Sequence, residues 1–133
     1  MPIITITERD ILRGKIVEPA WYRVKIDEVG ERTTKSGDSQ FYPVEGTILF
    51  NADTGDETYK NVPSPAGWGF SEKAMGFVIG FLQACGAEIV PGKRYDLSQA
   101  AGKEIDVYIE NGIYEGRTVN RINHKYRPIQ SKE

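Results

Sequence analysis

SEKAMGFVIGFLQACG, residues 71–86, decides how the rest of the chain is read. Ser71 suits an N-cap, with Glu72 in the first turn. Ala74, Phe77, Val78, Phe81, Leu82 and Cys85 recur at helical spacing, and Gly86 suits the left-handed residue that ends a helix. The spacing predicts a helix over 71–85. The longer segments on either side read instead as strands.

Upstream, AWYRVKIDEV (20–29) puts Tyr22, Val24 and Ile26 on one face and Trp21, Arg23, Lys25 and Asp27 on the other, the period of a half-buried strand. The polar loop ERTTKSGDSQ (31–40), turning at Gly37, leads into a strand over 40–50. Tyr42, Val44, Ile48 and Phe50 there share even positions, Gly46 marks a bulge or bend, and Pro43 favours an edge. NADTGDE (51–57) reads as a turn, 57–62 as a short third strand, and PSPAGWGF (63–70) as irregular chain. Beyond the helix come strands over 103–110 and 115–126, joined by the turn in ENGIYEG. Three strands, one helix and two strands is the order of a mainly β, five-stranded OB-fold barrel with one helix between the third and fourth strands. An α/β sheet would alternate, and a sandwich would want more strands. The expected layout is an arm over 1–19, with a helical turn at 7–13 capped by Thr7 and ended by Gly14, a domain over 20–127, and a tail over 128–133.

With 133 residues, 39% of them hydrophobic and 27% charged, the chain suits one soluble domain with one core. The longest apolar stretch, 74–82, is too short to span a bilayer, and the first ten residues lack a signal-peptide pattern, so an intracellular location is expected. The single cysteine, Cys85, excludes an internal disulfide and a cysteine-cluster metal site. His124 is the only histidine and has no second ligand at metal spacing, GWGF does not match a phosphate loop, and NADTGDE lacks calcium-loop spacing. Catalysis, cofactors and metals are therefore not expected.

Charge is unevenly spread. From Ile113 onward, Arg117, Arg121, Lys125, Arg127 and Lys132 face only Glu115 and Glu133, a balance of +3 that leaves −5 for residues 1–112. On a strand, Arg117, Arg121, Lys125 and Arg127 share parity and form one positive stripe. Trp21 between Arg23 and Lys25 has the character of a single-strand path, in which bases stack on rings and cations hold phosphates. Phe41, Tyr59 and Trp68 are further candidate stacking residues, although Trp68 and Phe70 also suit a loop folded back over the barrel end. A solvated face with Trp21 under the N-terminal arm is the plainer reading of the same pattern.

AWYRVKIDEV, the KSG of 35–37, SEKAMGFVIGFLQACG and GKEIDVYIENGIYEGRTVNRINHKY together resemble a bacteriophage family of single-stranded DNA-binding proteins. Tyr114, Gly116, Arg117 and Asn120 are similar to that family's Tyr-x-Gly-Arg/Lys hairpin with its following Asn. The resemblance spans roughly 20–127 and implies an OB-fold barrel that coats single-stranded DNA in phage replication or recombination, in the host cytoplasm, without catalysis. Phage replication or recombination proteins and a second copy of the chain are the partners it brings into view. The closing RPIQSKE differs from the acidic tail by which many single-strand binders recruit partners. Two other readings stay open: an assembly module whose cations meet an acidic protein, and a small-ligand or oligosaccharide binder with Trp21 and Trp68 on sugar rings.

Overall fold

The structure, a computed structural model, describes residues 2–33, 37, 39–65 and 67–129. In chain order it contains α1 (Glu8–Arg13), β1 (Ala20–Val29), β2 (Arg32–Thr33), β3 (Gln40–Asn51), β4 (Gly69–Ser71), α2 (Met75–Ala84), a 3-10 turn at Leu97–Ala100, β5 (Glu104–Tyr114) and β6 (Arg117–Arg127). The protein is mainly β. Its strands form one antiparallel sheet in the order β2-β3-β1-β5-β6, with β4 also paired to β3. Parts of the expected 31–40 loop and of the C-terminal tail, including Lys132, lie outside the described residues.

Tyr22, Val24 and Ile26 point into the core with Ile105, Val107 and Ile109 from β5 and Val44 and Ile48 from β3, all buried. The alternation of the first strand thus holds in space. Gly46 sits at a close approach within the sheet. A Cβ there would lie 2.8 Å from Val24 Cγ1, 3.0 Å from the Lys25 carbonyl oxygen and 3.3 Å from Trp68. Gly46→Ala is expected to cost about 1–3 kcal/mol by overpacking, read as a lowered denaturant midpoint at unchanged m-value.

The expected third strand is corrected. Residues 57–62 do not form one; they begin with a turn closed by Lys60 N–H to the Glu57 carbonyl. Pairing with β3 starts only at Asn61 (φ 73°), where Asn61 N–H meets the Ile48 carbonyl and Ile48 N–H meets the Val62 carbonyl. Pro63 and Pro65 lack the N–H groups a ladder needs, so the pairing lapses and resumes as β4. Part of PSPAGWGF, expected to be irregular, is therefore a strand.

The barrel expected from the strand order is also not closed by hydrogen bonds, because β4 and β6 do not pair. Side chains fill the gap. Trp68, just before β4, stacks on Tyr126 of β6 with centroids 6.2 Å apart and donates its indole N–H to the Tyr126 hydroxyl at 2.8 Å. Phe70 and Phe81 pack on the same ring. Burial raises the Tyr126 pKa well above the ordinary tyrosine value, so the hydroxyl stays protonated.

Helix α2 begins three residues later than Ser71 would set it, with Ala74 as an N-cap that offers no side-chain bond. Its end is as read. Gly86 adopts φ 91°, its N–H meets the Gln83 carbonyl, and Ala87 N–H meets the Leu82 carbonyl, the paired bonds of a Schellman motif. Val78, Phe81 and Leu82 are buried, whereas Phe77 is half exposed and stacks on His124 at 4.1 Å. Burial holds the His124 imidazole below its ordinary pKa and pushes the Cys85 thiol up to about 11.

Candidate nucleic-acid interface

The outward face of β1, β5 and β6 gathers most of the candidate residues because two registers coincide. Trp21 lies opposite Tyr108 and Arg23 opposite Asp106 between β1 and β5; Asp106 lies opposite Arg127 and Glu110 opposite Arg121 between β5 and β6. A break in the β5–β6 register falls at Tyr108: Ile109 pairs with Ile122 and Val107 with Tyr126, so β6 carries two extra residues, with His124 at φ 54°. An even insertion keeps parity. Lys125 therefore faces outward with Tyr108, its Nζ 5.2 Å from the ring centroid.

Trp21 meets the edge of Tyr108 at 5.6 Å, and the Arg127 guanidinium lies 4.4 Å from the indole centroid. The Arg23 guanidinium lies 5.2 Å from the Phe50 ring. Rings and cations thus interleave across four strands, β3, β1, β5 and β6. Phe50 is in this group although its even position predicts the core face. One extra residue, Leu49, sits between the pairs Arg23–Phe50 and Val24–Ile48, and that odd insertion turns Phe50 outward.

The predicted cations divide into two sets. Arg23 and Arg127 are committed to carboxylates: Arg23 Nε lies 2.6 Å from Asp106, and Arg127 lies 3.3 Å from Asp106 and 2.6 Å from Asp53. Asp106 is almost fully buried, so two guanidiniums sharing its carboxylate satisfy an otherwise costly anion. Those same bonds favour the charged form of Arg127 and raise its pKa further, Asp53 contributing most. Among the described residues, Lys25, Arg117, Arg121 and Lys125 have no carboxylate within ion-pair distance.

The elements around the platform bound it. Arg9 of α1 binds Asp27 at 3.5 Å and Thr47 at 3.2 Å, and Arg13 binds Glu45 at 2.5 Å, which tethers α1 over the far end of β1 and β3. The other end is open. There β5 and β6 run past their last β1 pair, Ala20–Ile109, as a two-stranded ribbon whose outward Tyr114 and Arg117 are both exposed. Asn120 and Asn111 anchor the arm against this ribbon: Asn120 accepts the Val17 N–H at 3.0 Å and donates to the Lys15 carbonyl at 2.8 Å, while Asn111 donates to the Val17 carbonyl at 3.0 Å.

Three predicted stacking residues are elsewhere. Trp68 is 4% exposed and belongs to the core. Tyr59 sits in a turn on the core side, edge-on to Tyr22 with Lys15 over its ring. Phe41 lies nine residues along β3 from Phe50, roughly 30 Å at strand spacing, under Arg32 and against Gly69. Sequence reading missed Tyr108, whose parity opposite Ile105, Val107 and Ile109 was available, and Phe50, whose parity misleads. A cleft of about 740 Å³ between α2 and residues 93–98 includes none of the candidate residues. No helix is long and apolar enough to cross a membrane, and no group of three His, Cys, Asp or Glu could hold a metal ion, both among the described residues.

No protein-family model matches the chain, and no curated protein gives a significant match.

Proposed function

We propose that this protein is a non-enzymatic, sequence-tolerant binder of single-stranded DNA. The observation that carries the reading is the Trp21–Tyr108 pair on the outward sheet face, with Lys125 over Tyr108 and Arg121 and Arg117 further along β6, none of these three paired to a carboxylate among the described residues. Every base offers a π-face, so rings accept any sequence, while cations spaced along one strand follow a phosphate chain. Duplex DNA keeps its bases stacked on each other and cannot use the rings. We read the sheet as an OB-like architecture in which the aromatic contact between Trp68 and Tyr126 replaces one strand pairing. The resemblance in the sequence supports a setting in phage replication or recombination.

The decisive experiment is a gel-shift on oligo-dT against duplex DNA of equal length over a salt series. Preferential retention of oligo-dT, lost steeply as salt rises, is expected. An acidic protein partner at this face would instead leave no single-strand affinity even at low salt, and sugar stacking would respond little to salt. Within this reading, Trp21→Ala is expected to weaken oligo-dT binding by about 1–3 kcal/mol. Because Tyr108 and Arg127 both touch the indole, this variant should also melt somewhat lower. Unchanged affinity in folded Trp21→Ala would remove the ring from the DNA path.

A further inference from the structure

Arg127 is a strange phosphate ligand, because it already has two carboxylates. They are not equivalent. Asp106 is enclosed between β1 and β6 and is held by Arg23 as well, so it cannot leave without stranding two cations. Asp53 has a side chain 56% exposed, on a turn that holds its shape independently: the Asn51 side chain accepts the Asp53 and Thr54 N–H groups, and Gly55 N–H meets the Asn51 carbonyl. Removing its carboxylate from Arg127 costs only an exposed ion pair. Beside the pair lies a cleft of about 270 Å³, lined by Arg23, Phe50, Asp53, Thr54, Gly55 and Ile129.

Two guanidiniums over one buried carboxylate carry a residual charge of +1, and Asp53 supplies the anion that cancels it. We infer that the Asp53 carboxylate occupies the seat of a DNA phosphate at Arg127, so that the Asn51–Asp56 turn screens an additional phosphate site beside Trp21. This rests on the single-stranded DNA reading and names a further contact and its regulation. A phosphate oxygen takes the Asp53 position on a planar donor suited to oxyanions, while Asp106 keeps the guanidinium in place. A phosphate so held lies beside the Trp21 ring, which the Arg127 guanidinium covers at 4.4 Å.

The test compares Asp53→Asn with Asp56→Asn, a neighbouring exposed acid that bonds to Thr58 instead. Both are measured for oligo-dT binding over a salt series, with and without Arg127→Gln. Asp53→Asn is expected to bind about fivefold tighter, with a salt slope steeper by about 0.7. Asp56→Asn should change affinity by less than about twofold, and the Asp53→Asn gain should vanish when Arg127 is Gln. Equal gains in the two single variants, or a gain that survives Arg127→Gln, would overturn the inference, since either makes it a matter of net charge. The comparison of the two single variants stands even if Arg127→Gln folds poorly. Wild type that binds without any Asp53-specific gain defeats this inference alone; no oligo-dT binding by wild type or Asp53→Asn defeats the function itself.

Discussion

Trp68→Ala should lower stability by about 3–5 kcal/mol, the cost of emptying a large aromatic site in a packed core. For a domain of this size that is a fall in melting temperature of roughly 10–18 °C. The ring touches Phe81 and Tyr126, and its indole N–H holds the Tyr126 hydroxyl, so its loss leaves a void and takes one of that hydroxyl's two partners, the other being His124 Nδ1 at 3.2 Å. Trp68→Phe keeps most of the packing and loses the hydrogen bond, which predicts a smaller drop of about 1–2 kcal/mol. At a temperature where Trp68→Ala remains folded, its oligo-dT affinity should match wild type. A variant with normal melting and lost DNA binding would put Trp68 back at the interface.

Replacing Arg117, Arg121 and Lys125 together by Ala should make the slope of log affinity against log salt shallower by about 2.1, at about 0.7 for each phosphate contact on single strands. At ~50 mM salt the loss should reach roughly a hundredfold, equal for all sequences. All three side chains are exposed, so stability should move by no more than about 0.5 kcal/mol for each. Arg127 is left out of this set because its charge is already engaged by Asp53 and Asp106. An unchanged slope in the folded triple variant would confine the DNA path to Trp21 and its neighbours.

Local patterning made much of this legible. The core face of β1, its limits at 20–29, the start of β5 near 103 and the glycine at the end of α2 all follow from rules that act over a few residues, whereas β5 runs to Tyr114, four residues past the expected end at 110. What defeated the reading was counting. Parity survives the two-residue insertion in β6, so Arg121, Lys125 and Arg127 fall on one face as their odd numbers suggest. The single-residue insertion at Leu49 inverts parity, and Phe50 comes out on the face its number argues against. Nothing within ten residues announces either insertion, because register depends on the partner strand. Counter-ions were invisible for the same reason: Asp106 and Asp53 lie 83 and 74 residues from the arginines they bind, Arg23 and Arg127 respectively. The split third strand, by contrast, was announced by Pro63 and Pro65, whose missing N–H groups forbid a continuous ladder there.

The line between β4 and β6 is sealed by rings instead of a ladder, and this gives the molecule a place to give way. A ladder resists parting one hydrogen bond after another, whereas stacked rings slide and separate with the strands themselves intact. Openings of this kind need less free energy than global unfolding. Tyr126, the inner ring of the seal, lies in sequence between Lys125 and Arg127, which face the other way. Strand β6 thus carries both roles on alternate residues: Tyr126 closes the interior from one face while Lys125 and Arg127 stand on the other.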